Sequence, residues 1–224
     1  MTTALLLLAG DPEVIRTALG ELHPDDAVHR WAGIRAPDDP MANTVYGSRW
    51  PYGGFVALEY PDTEPPGLGE RLSTLVGSLG EAIDPSRSAV LVGTTHRIID
   101  GRTDVALVYL IHRIGGLTVE QYQDHWLNQH GPLAKALVPT SGYEQTHADH
   151  DGGAALASRL GFATPDFDGN ATCFFDTAQD FADMLTARES SRDMNVIYED
   201  ELRFLDHDRS LGALMRQVPL GAAP

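Results

Sequence analysis

A histidine on an otherwise apolar helix face is the first candidate for chemistry in this sequence. Thr118 and Gln121 have the spacing of a capping box, which indicates that a helix begins there. Steps of three and four residues place His130 on the same face as a set of largely apolar side chains. These are Val119, Tyr122, Trp126, Leu133 and Leu137. The inward imidazole could act as a general acid or base near neutral pH, or could be a buried, hydrogen-bonded structural residue.

A proline two residues after this histidine interrupts the helix pattern. Pro132 lacks a backbone N–H and pushes Gly131 away from helical dihedral angles. We therefore predict that the helix bends or restarts near Gly131. In a restart, free amides beside His130 could stabilise a developing anion.

A second group of polar side chains falls on one face of a predicted strand. Tyr143, Gln145, His147 and Asp149 alternate along the chain and therefore point the same way. If this face lines a barrel cavity, His147 could be a general base whose tautomer is fixed by Asp149 or Gln145. The alternative is a hydrophilic face turned toward solvent.

Another predicted strand carries Tyr109 and Arg113 on one face. Arg113 could bind a carboxylate or an enolate through two hydrogen bonds, or could pair with a surface acid. Tyr109 could donate a hydrogen bond into a cavity, although a buried tyrosine needs such a partner in any case.

Metal and haem binding are less favoured alternatives. The run from His147 to Asp151 contains two imidazoles and two carboxylates, which are suitable metal ligands, but only alternate residues of a strand can point together. Some barrels of the architecture proposed below hold a haem against a histidine. We expect no cofactor and no metal.

The segment around these histidines resembles the EthD-like family of ferredoxin-like domains. The resemblance begins with a strand ending at Arg113, a Gly-Gly-Leu turn and a helix that ends in His130-Gly131-Pro132. Residues 143–147, 167–169 and 201–206 resemble later segments of the same family, so that about half of the chain, 104–218, is covered. The resemblance includes Arg113 and His147 among the site residues, and it implies a catabolic or secondary-metabolic setting.

Each half of the chain repeats the order strand, helix, strand, strand, helix, strand. The predicted strands are 4–9, 27–35, 54–60, 89–99, 104–113, 142–149, 171–176 and 211–218. Two predicted helices follow Asp11 and Thr118, and two more cover 67–83 and 178–188. Residues 36–53 and 150–168 are predicted loops that could cover a barrel mouth. We predict an α+β fold in which two ferredoxin-like halves, 1–100 and 104–218, close a pseudo-dimeric barrel. EthD-like proteins commonly pair two chains, so this chain could be a monomer that does the work of a dimer, or a homodimer.

The first half is a degenerate copy of the second. It shows no tyrosine and tryptophan stripe, and only His23-Pro24 echoes the His-Gly-Pro ending. We expect the first half to be structural and to supply one wall of the cavity.

Composition limits the partners and the compartment. A formal charge of −16, from 32 acidic and 16 basic residues, argues against nucleic acid and anionic membranes. The single cysteine, Cys173, excludes an internal disulfide and is expected to be a buried, inert thiol. Residues 1–10 have neither a basic segment nor enough apolar residues for a signal or a membrane span. We expect a cytoplasmic protein that binds a small hydrophobic molecule.

Several classes of enzyme lack their motifs in this sequence, which has no phosphate-binding glycine loop, no Gly-x-Ser-x-Gly and no cysteine cluster. The remaining chemistry is acid-base catalysis by histidine and tyrosine. We predict a cofactor-independent lyase, isomerase, cyclase or dehydratase that acts on an aromatic or polyketide-like carbonyl compound. Its catalytic residues would be His130 and His147, and the ligand would contact Arg113, Tyr109, Tyr122, Trp126, Tyr143, Gln145 and Asp149. The alternative is a non-catalytic protein that binds a small molecule or haem.

Overall fold

Eight strands form a closed antiparallel barrel in the computed structural model, which describes residues 1–23, 29–61, 67–187 and 191–221. The strands are β1 (Thr2–Leu8), β2 (His29–Arg35), β3 (Gly54–Tyr60), β4 (Ala89–Ile99), β5 (Val105–Ile111), β6 (Gly142–Ala148), β7 (Gly169–Phe175) and β8 (Leu211–Gln217). The helices are α1 (Pro12–Gly20), α2 (Leu68–Leu79), α3 (Val119–His125), α4 (Gly131–Leu137), α5 (His150–Leu160), α6 (Ala178–Ala187) and α7 (Arg192–Glu201). The predicted α+β class is therefore confirmed.

The strand order around the barrel is β1-β3-β2-β8-β5-β7-β6-β4. The first four strands are neighbours, the last four are neighbours, and the pairs β2–β8 and β4–β6 join the two groups. Within each group the spatial order is fourth, first, third, second strand. The strand bounds lie within two residues of the predicted ones. Residues 27 and 28 of the second predicted strand and residue 188 of the last predicted helix lie outside the described residues.

Strand alternation divides the apolar side chains into an inner and an outer set. The inner set comes from all eight strands and fills the barrel, with Leu7, Phe55, Val108 and Met215 completely buried. The outer face of β1–β4 packs under α1, α2 and α5, and the outer face of β5–β8 packs under α3, α4, α6 and α7. Because the interior is filled by side chains, a ligand cavity has to lie outside the barrel, under the helices.

Charged side chains from both halves meet near the junction of β4 and β6. Glu59 is 1% exposed and binds Arg97 and Arg102, and the same two guanidinium groups also bind Glu144. The Arg102 contact to Glu144 is 2.8 Å long. Glu59 and Arg97 belong to the first half, Glu144 to the second, and Arg102 to the short connection, so that this cluster links the two halves.

Of the two segments that were predicted to be loops, one is irregular in the structure and the other contains a helix. The first, 36–53, contains only a short 3₁₀ turn at Pro40–Asn43. The second, 150–168, was wrongly predicted to be a loop, because it contains α5. The Asp149 side chain caps this helix by accepting a hydrogen bond from the Gly152 amide at 3.1 Å, and Ala157 and Leu160 pack on the outer face of the first sheet. Two glycines in the first turn of α5 hide the helix in the sequence.

The helix that carries His130 does not restart near Gly131, which was one of the two predicted alternatives. A π turn, Trp126–His130, joins α3 to α4, and His130 and Gly131 keep helical dihedral angles. The Gly131 amide donates to the Trp126 carbonyl, so that the predicted free amides beside His130 are not formed there. The extra residue of the π turn accommodates the proline by widening the helix instead of ending it.

No helix in the described ranges combines the length and the hydropathy of a membrane span.

Candidate active site

A cavity of about 100 Å³ lies between the outer face of the second sheet and the helices that cover it. An engineered cavity of about 150 Å³ holds benzene, so this space, about one-third smaller, accepts one ring only if wall side chains move. The wall is mostly apolar, and three flexible methionines in it can adapt to a larger ligand. The lining residues are Met41, Tyr46, Leu107, Tyr109, Ile111, Trp126, His130, Ala134, Val138, Tyr143, Ala171, Cys173, Met184, Leu185, Met194, Ile197, Glu201, Phe204 and Leu205.

His130 lines this cavity and has one ring nitrogen bound by a carboxylate. Its Nδ1 lies 3.0 Å from Oδ2 of Asp200, while its Nε2 has no hydrogen-bond partner among the described residues. A carboxylate can only accept, so Nδ1 carries a proton, and in the neutral imidazole Nε2 has the free lone pair. The imidazole is 6% exposed and packs against the ring of Phe204 at 5.0 Å. This pair has the arrangement in which an aspartate orients a catalytic histidine.

Asp200 lies on α7, and two histidines share its carboxylate. His125 Nε2 is 3.1 Å from Oδ1, on the side away from His130. The pKa of Asp200 lies below its usual value, mainly because of the hydrogen bond with His130. The charges of both imidazoles and the hydrogen bond with His125 lower it further, although burial opposes the shift. The carboxylate is therefore ionised at neutral pH and can stabilise an imidazolium formed at His130.

The hydroxyl group of Tyr143 is a second polar group of the cavity. It accepts hydrogen bonds from Trp126 Nε1 at 3.0 Å and from Gln145 Nε2 at 3.1 Å. The Gln145 amide also donates to the Trp126 carbonyl, which can only accept and so fixes the orientation of the amide. Both lone pairs of the Tyr143 oxygen are occupied, and its own hydrogen has no acceptor among the residues that the structure covers. That hydrogen is available to a ligand oxygen.

His147 lies beside this network and outside the cavity lining. Its ring stacks on Trp126 at 4.7 Å and 8°, and its Nε2–H donates to Gln145 Oε1 at 3.3 Å. Gly169 makes room for the tryptophan ring, because a Cβ there would lie 2.6 Å from it. Burial, and to a smaller extent His96, lowers the pKa of His147 to about 3. The imidazole is neutral at pH 7 and too weakly basic for the catalytic role that the sequence suggested.

The polar face of β6 therefore differs from both predicted alternatives. Tyr143, Gln145 and His147 point neither into the barrel nor into solvent, but toward α3 and the π turn. Strand alternation correctly placed the three side chains together. Which side of a closed barrel they occupy depends on packing between distant segments.

Replacing His147 by glutamine should flatten the dependence of stability on pH. The pKa of His147 in the folded protein is about 3, below the unfolded value of roughly 6.5, so the unfolded chain takes up the proton first. The stabilisation is complete above about pH 6.5 and is lost as the pH falls toward 3. Urea unfolding at pH 7.5 and pH 5 should show that the wild type loses about 2 kcal/mol more than His147→Gln. The exposed His23→Gln variant is the control, and an equal loss in all three proteins would contradict the assignment.

Four other predicted contact residues lie away from the cavity lining or behind it. Arg113 binds Asp168 and the Leu117 carbonyl, so that its guanidinium serves the turn before α3 and does not anchor a ligand in the cavity. Asp149 caps α5. Gln145 supports Tyr143 from behind, and Tyr122 is completely buried, with a hydroxyl group that has no partner among the described residues. Tyr109 and Trp126, by contrast, line the cavity under the helices.

The sequence did not indicate Asp200 or Glu201 as site residues. Ser191 caps α7 by accepting from the Met194 amide, and Met194, Ile197 and Glu201 follow with helical spacing and line the cavity. That spacing is a usable signal for the helix. In a chain with this many acidic residues, however, nothing in the sequence separates a buried aspartate from a solvated one.

The donor groups and the volume of the site suit neither a metal cluster nor a haem. No cluster of three or more His, Cys, Asp or Glu side chains suited to a metal occurs in the described part of the chain. A histidine held by a carboxylate can be an axial ligand, but the four pyrrole rings of a haem do not fit a cavity of about 100 Å³. Cys173 lines the cavity, and burial raises its pKa to about 12, so the thiol is protonated.

Comparison with known protein families identifies the part of the chain that resembles the EthD-like family in sequence. Residues 115–208 match the family model of the EthD domain. No curated protein matches the sequence.

Solved structures with similar folds share little sequence with this protein. An anthrone oxidase-like protein matches with a TM-score of 0.60 and 12% identity over 99% of this chain and 94% of its own. A Lactobacillus acidophilus protein provisionally assigned as a monooxygenase matches at 0.55 and 8% over 98% and 94%. A chlorite dismutase mutant from Candidatus Nitrospira defluvii matches at 0.52 and 12% over 98% and 91%. These likenesses concern the fold. The predicted resemblance to the EthD-like family is confirmed by the family model, which matches residues 115–208.

Proposed function

We propose that this protein is an enzyme that removes a proton from carbon next to the carbonyl group of a small uncharged aromatic compound, without a cofactor. One observation carries the proposal: Asp200 binds Nδ1 of His130, a residue that lines an apolar cavity, and leaves Nε2 without a partner among the described residues. Such a group is a general base that needs no further activation. Lyase, isomerase, cyclase and dehydratase reactions can all begin with this step.

The groups around the cavity can stabilise both products of the proton transfer, the enolate and the imidazolium. The C–H bond breaks, the proton moves to Nε2 of His130, and the electron pair forms an enolate. The Tyr143 hydrogen can bind the enolate oxygen, while Asp200 stabilises the imidazolium. The net charge of the cavity is unchanged, because the imidazolium gains the positive charge that balances the enolate. Apolar walls strengthen these interactions by excluding water.

The same proposal includes a tandem origin of the site. The two groups of four strands share one spatial order, which supports two ferredoxin-like halves, 1–100 and 104–218, that imitate a dimer. The first half contributes Met41 and Tyr46 to the cavity wall, whereas the base and its partners come from the second half. A single chain would therefore contain a whole site, and the protein would need no second copy for activity.

The most direct experiment is deuterium incorporation from D₂O into phenylacetone, an uncharged ketone with one ring. We expect incorporation at the benzylic carbon at a rate proportional to protein concentration and well above that of buffer. Ligand binding should be followed separately through the fluorescence of Trp126 and the other tryptophans. Binding without exchange would instead favour a non-catalytic protein that holds a small molecule.

Replacing Tyr143 by phenylalanine should slow this exchange about 10- to 100-fold, because the variant lacks the hydrogen that binds the developing oxyanion. Trp126 and Gln145 would each lose an acceptor, so the melting temperature has to be measured as well. Cys173→Ser is a control that changes another polar group of the cavity wall. Exchange that is unaffected in Tyr143→Phe would remove this residue from the proposed reaction.

A further inference from the structure

One carboxylate of the site is shared by two histidines of the same helix. His125 ends α3, and His130 ends the π turn that follows it. His125 Nε2 lies 3.1 Å from Oδ1 of Asp200, and His130 Nδ1 lies 3.0 Å from Oδ2. The Asp200 side chain is 6% exposed, so it obtains its hydrogen bonds mainly from protein groups. No step of the proposed reaction involves His125.

The π turn brings the two imidazoles to one carboxylate. Successive residues of an α-helix point about 100° apart, so residues five positions apart would diverge by about 140°. In a π turn the hydrogen bond joins residues i and i+5, and the wider turn places residue i+5 nearly over residue i. The hydrogen bond from the Gly131 amide to the Trp126 carbonyl has this spacing. His125 and His130 therefore share the helix face that meets α7.

The two imidazoles differ in their access to a ligand. His130 lines the cavity, whereas His125 lies outside the lining and its side chain is 24% exposed. The completely buried ring of Phe204 packs against both, at 5.1 Å from His125 and 5.0 Å from His130. His125 is therefore held beside Asp200, but it does not contact a ligand in the cavity.

A competing partner of the carboxylate gives the His125 hydrogen bond its importance. Arg203 follows the end of α7, and its Nη1 lies 3.9 Å from Oδ1 of Asp200, the oxygen that accepts from His125. The Arg203 side chain is 71% exposed, so its position can change. Without the His125 donor, the carboxylate can turn toward Arg203 and take Oδ2 away from His130. The imidazole of His130 would then no longer be fixed in one tautomer, because the hydrogen bond at Nδ1 sets it.

We propose that His125 is a positioning residue, which holds the Asp200 carboxylate so that His130 keeps a proton on Nδ1 and a lone pair on Nε2. The inference rests on the proposed function, because it takes His130 as the base. The tautomer of His130 is a property of the protein without ligand, however, so it can be measured without turnover.

Three variants separate the hydrogen bond of His125 from its bulk. His125→Gln can still donate from its side-chain amide, whereas His125→Leu has an apolar side chain without a donor. His150→Leu is the matched control. His150 Nε2 also lies 3.1 Å from a buried carboxylate, Oδ1 of Asp168, but outside the cavity lining. The melting temperature of each variant shows whether it is folded.

The first readout is the tautomer of His130. Two-bond ¹H–¹⁵N NMR spectra of protein with labelled histidine are recorded at about pH 9, where an ordinary imidazole is neutral. His130→Gln assigns the signals. His130 should be the Nδ1–H tautomer in the wild type, in His125→Gln and in His150→Leu. In His125→Leu its signals should shift toward those of a mixture with the Nε2–H tautomer.

The second readout is deuterium exchange into phenylacetone. His125→Leu should lower the rate at saturating ketone about 10- to 100-fold, which is the usual effect of removing a group that orients a functional histidine. Its affinity for the ketone should stay within about threefold of the wild-type value. His125→Gln should keep the rate within about threefold of the wild type, because the donor remains. His150→Leu should exchange as the wild type does.

An unchanged His130 tautomer in His125→Leu would overturn the inference, whether or not the protein exchanges deuterium. So would equal losses of rate in His125→Gln and His125→Leu, or an equal loss in His150→Leu, because these would indicate a structural effect. A tautomer that shifts as expected in a protein that exchanges no deuterium would keep the positioning role of His125 and remove the catalytic role of His130.

Discussion

Replacement of His130 by glutamine or of Asp200 by asparagine should lower the rate of proton exchange by about two to four orders of magnitude. Glutamine has no basic nitrogen, so His130→Gln removes the base itself. In Asp200→Asn the amide can donate to Nδ1 of His130, and the imidazole proton then moves to Nε2. The nitrogen that faces the cavity would carry a hydrogen and could no longer accept one.

The readout for these two variants separates catalysis from binding. The exchange rate at saturating phenylacetone should fall, while its affinity should stay within about threefold of the wild-type value. Asp193→Asn is a matched control, because Asp193 is an exposed aspartate on the same helix as Asp200. Loss of affinity in parallel with the rate would indicate a structural role for the pair, and an unchanged rate in either variant would contradict the assignment of the base.

Replacement of Glu59 by glutamine should destabilise the protein by about 3 kcal/mol or more. Glu59 is 1% exposed and pairs with Arg97 and Arg102, whose side chains are less than one-third exposed. The amide leaves two guanidinium groups close together with Glu144 as the remaining carboxylate. Removing one partner of a buried ionic cluster is costly because the other charges stay desolvated.

Urea unfolding of Glu59→Gln measures this cost, and the double variant Glu59→Gln/Arg102→Gln is its control. Removing one charge of each sign should recover part of the lost stability. Because the strand pairs β2–β8 and β4–β6 still join the halves, the single variant should unfold in one transition with both halves losing structure together. A change below about 1 kcal/mol would show that the cluster is solvated and weak.

Local patterns in the sequence were sufficient for most of the fold. The alternation of apolar residues and the positions of turns located all eight strands within two residues, and the capping box at Thr118 located the start of the helix that carries His130. These signals are local, because they depend on the backbone geometry of adjacent residues. Helix α5 was missed since glycines at its first turn weaken the helical pattern.

The candidate site was only partly predictable. His130, Tyr143, Tyr109 and Trp126 were candidate site residues and lie around one cavity, but that cavity is under the helices and not inside the barrel, where it was predicted. The side of the barrel on which the cavity lies follows from which sheet face each helix covers, and this depends on contacts between distant segments. Asp200 shows the same limit, because its role comes from a contact with a residue 70 positions away.

The central claim is that the ligand binds between the second sheet and its helices, with His130 Nε2 facing it. The measurement that tests this most directly is a crystal structure with bound 4-hydroxyacetophenone. We expect the ring among the apolar side chains of the cavity, its carbonyl group within hydrogen-bond distance of Tyr143 and its methyl group beside His130 Nε2. A ligand inside the barrel, or at the surface near Arg113 with the cavity empty, would contradict the account.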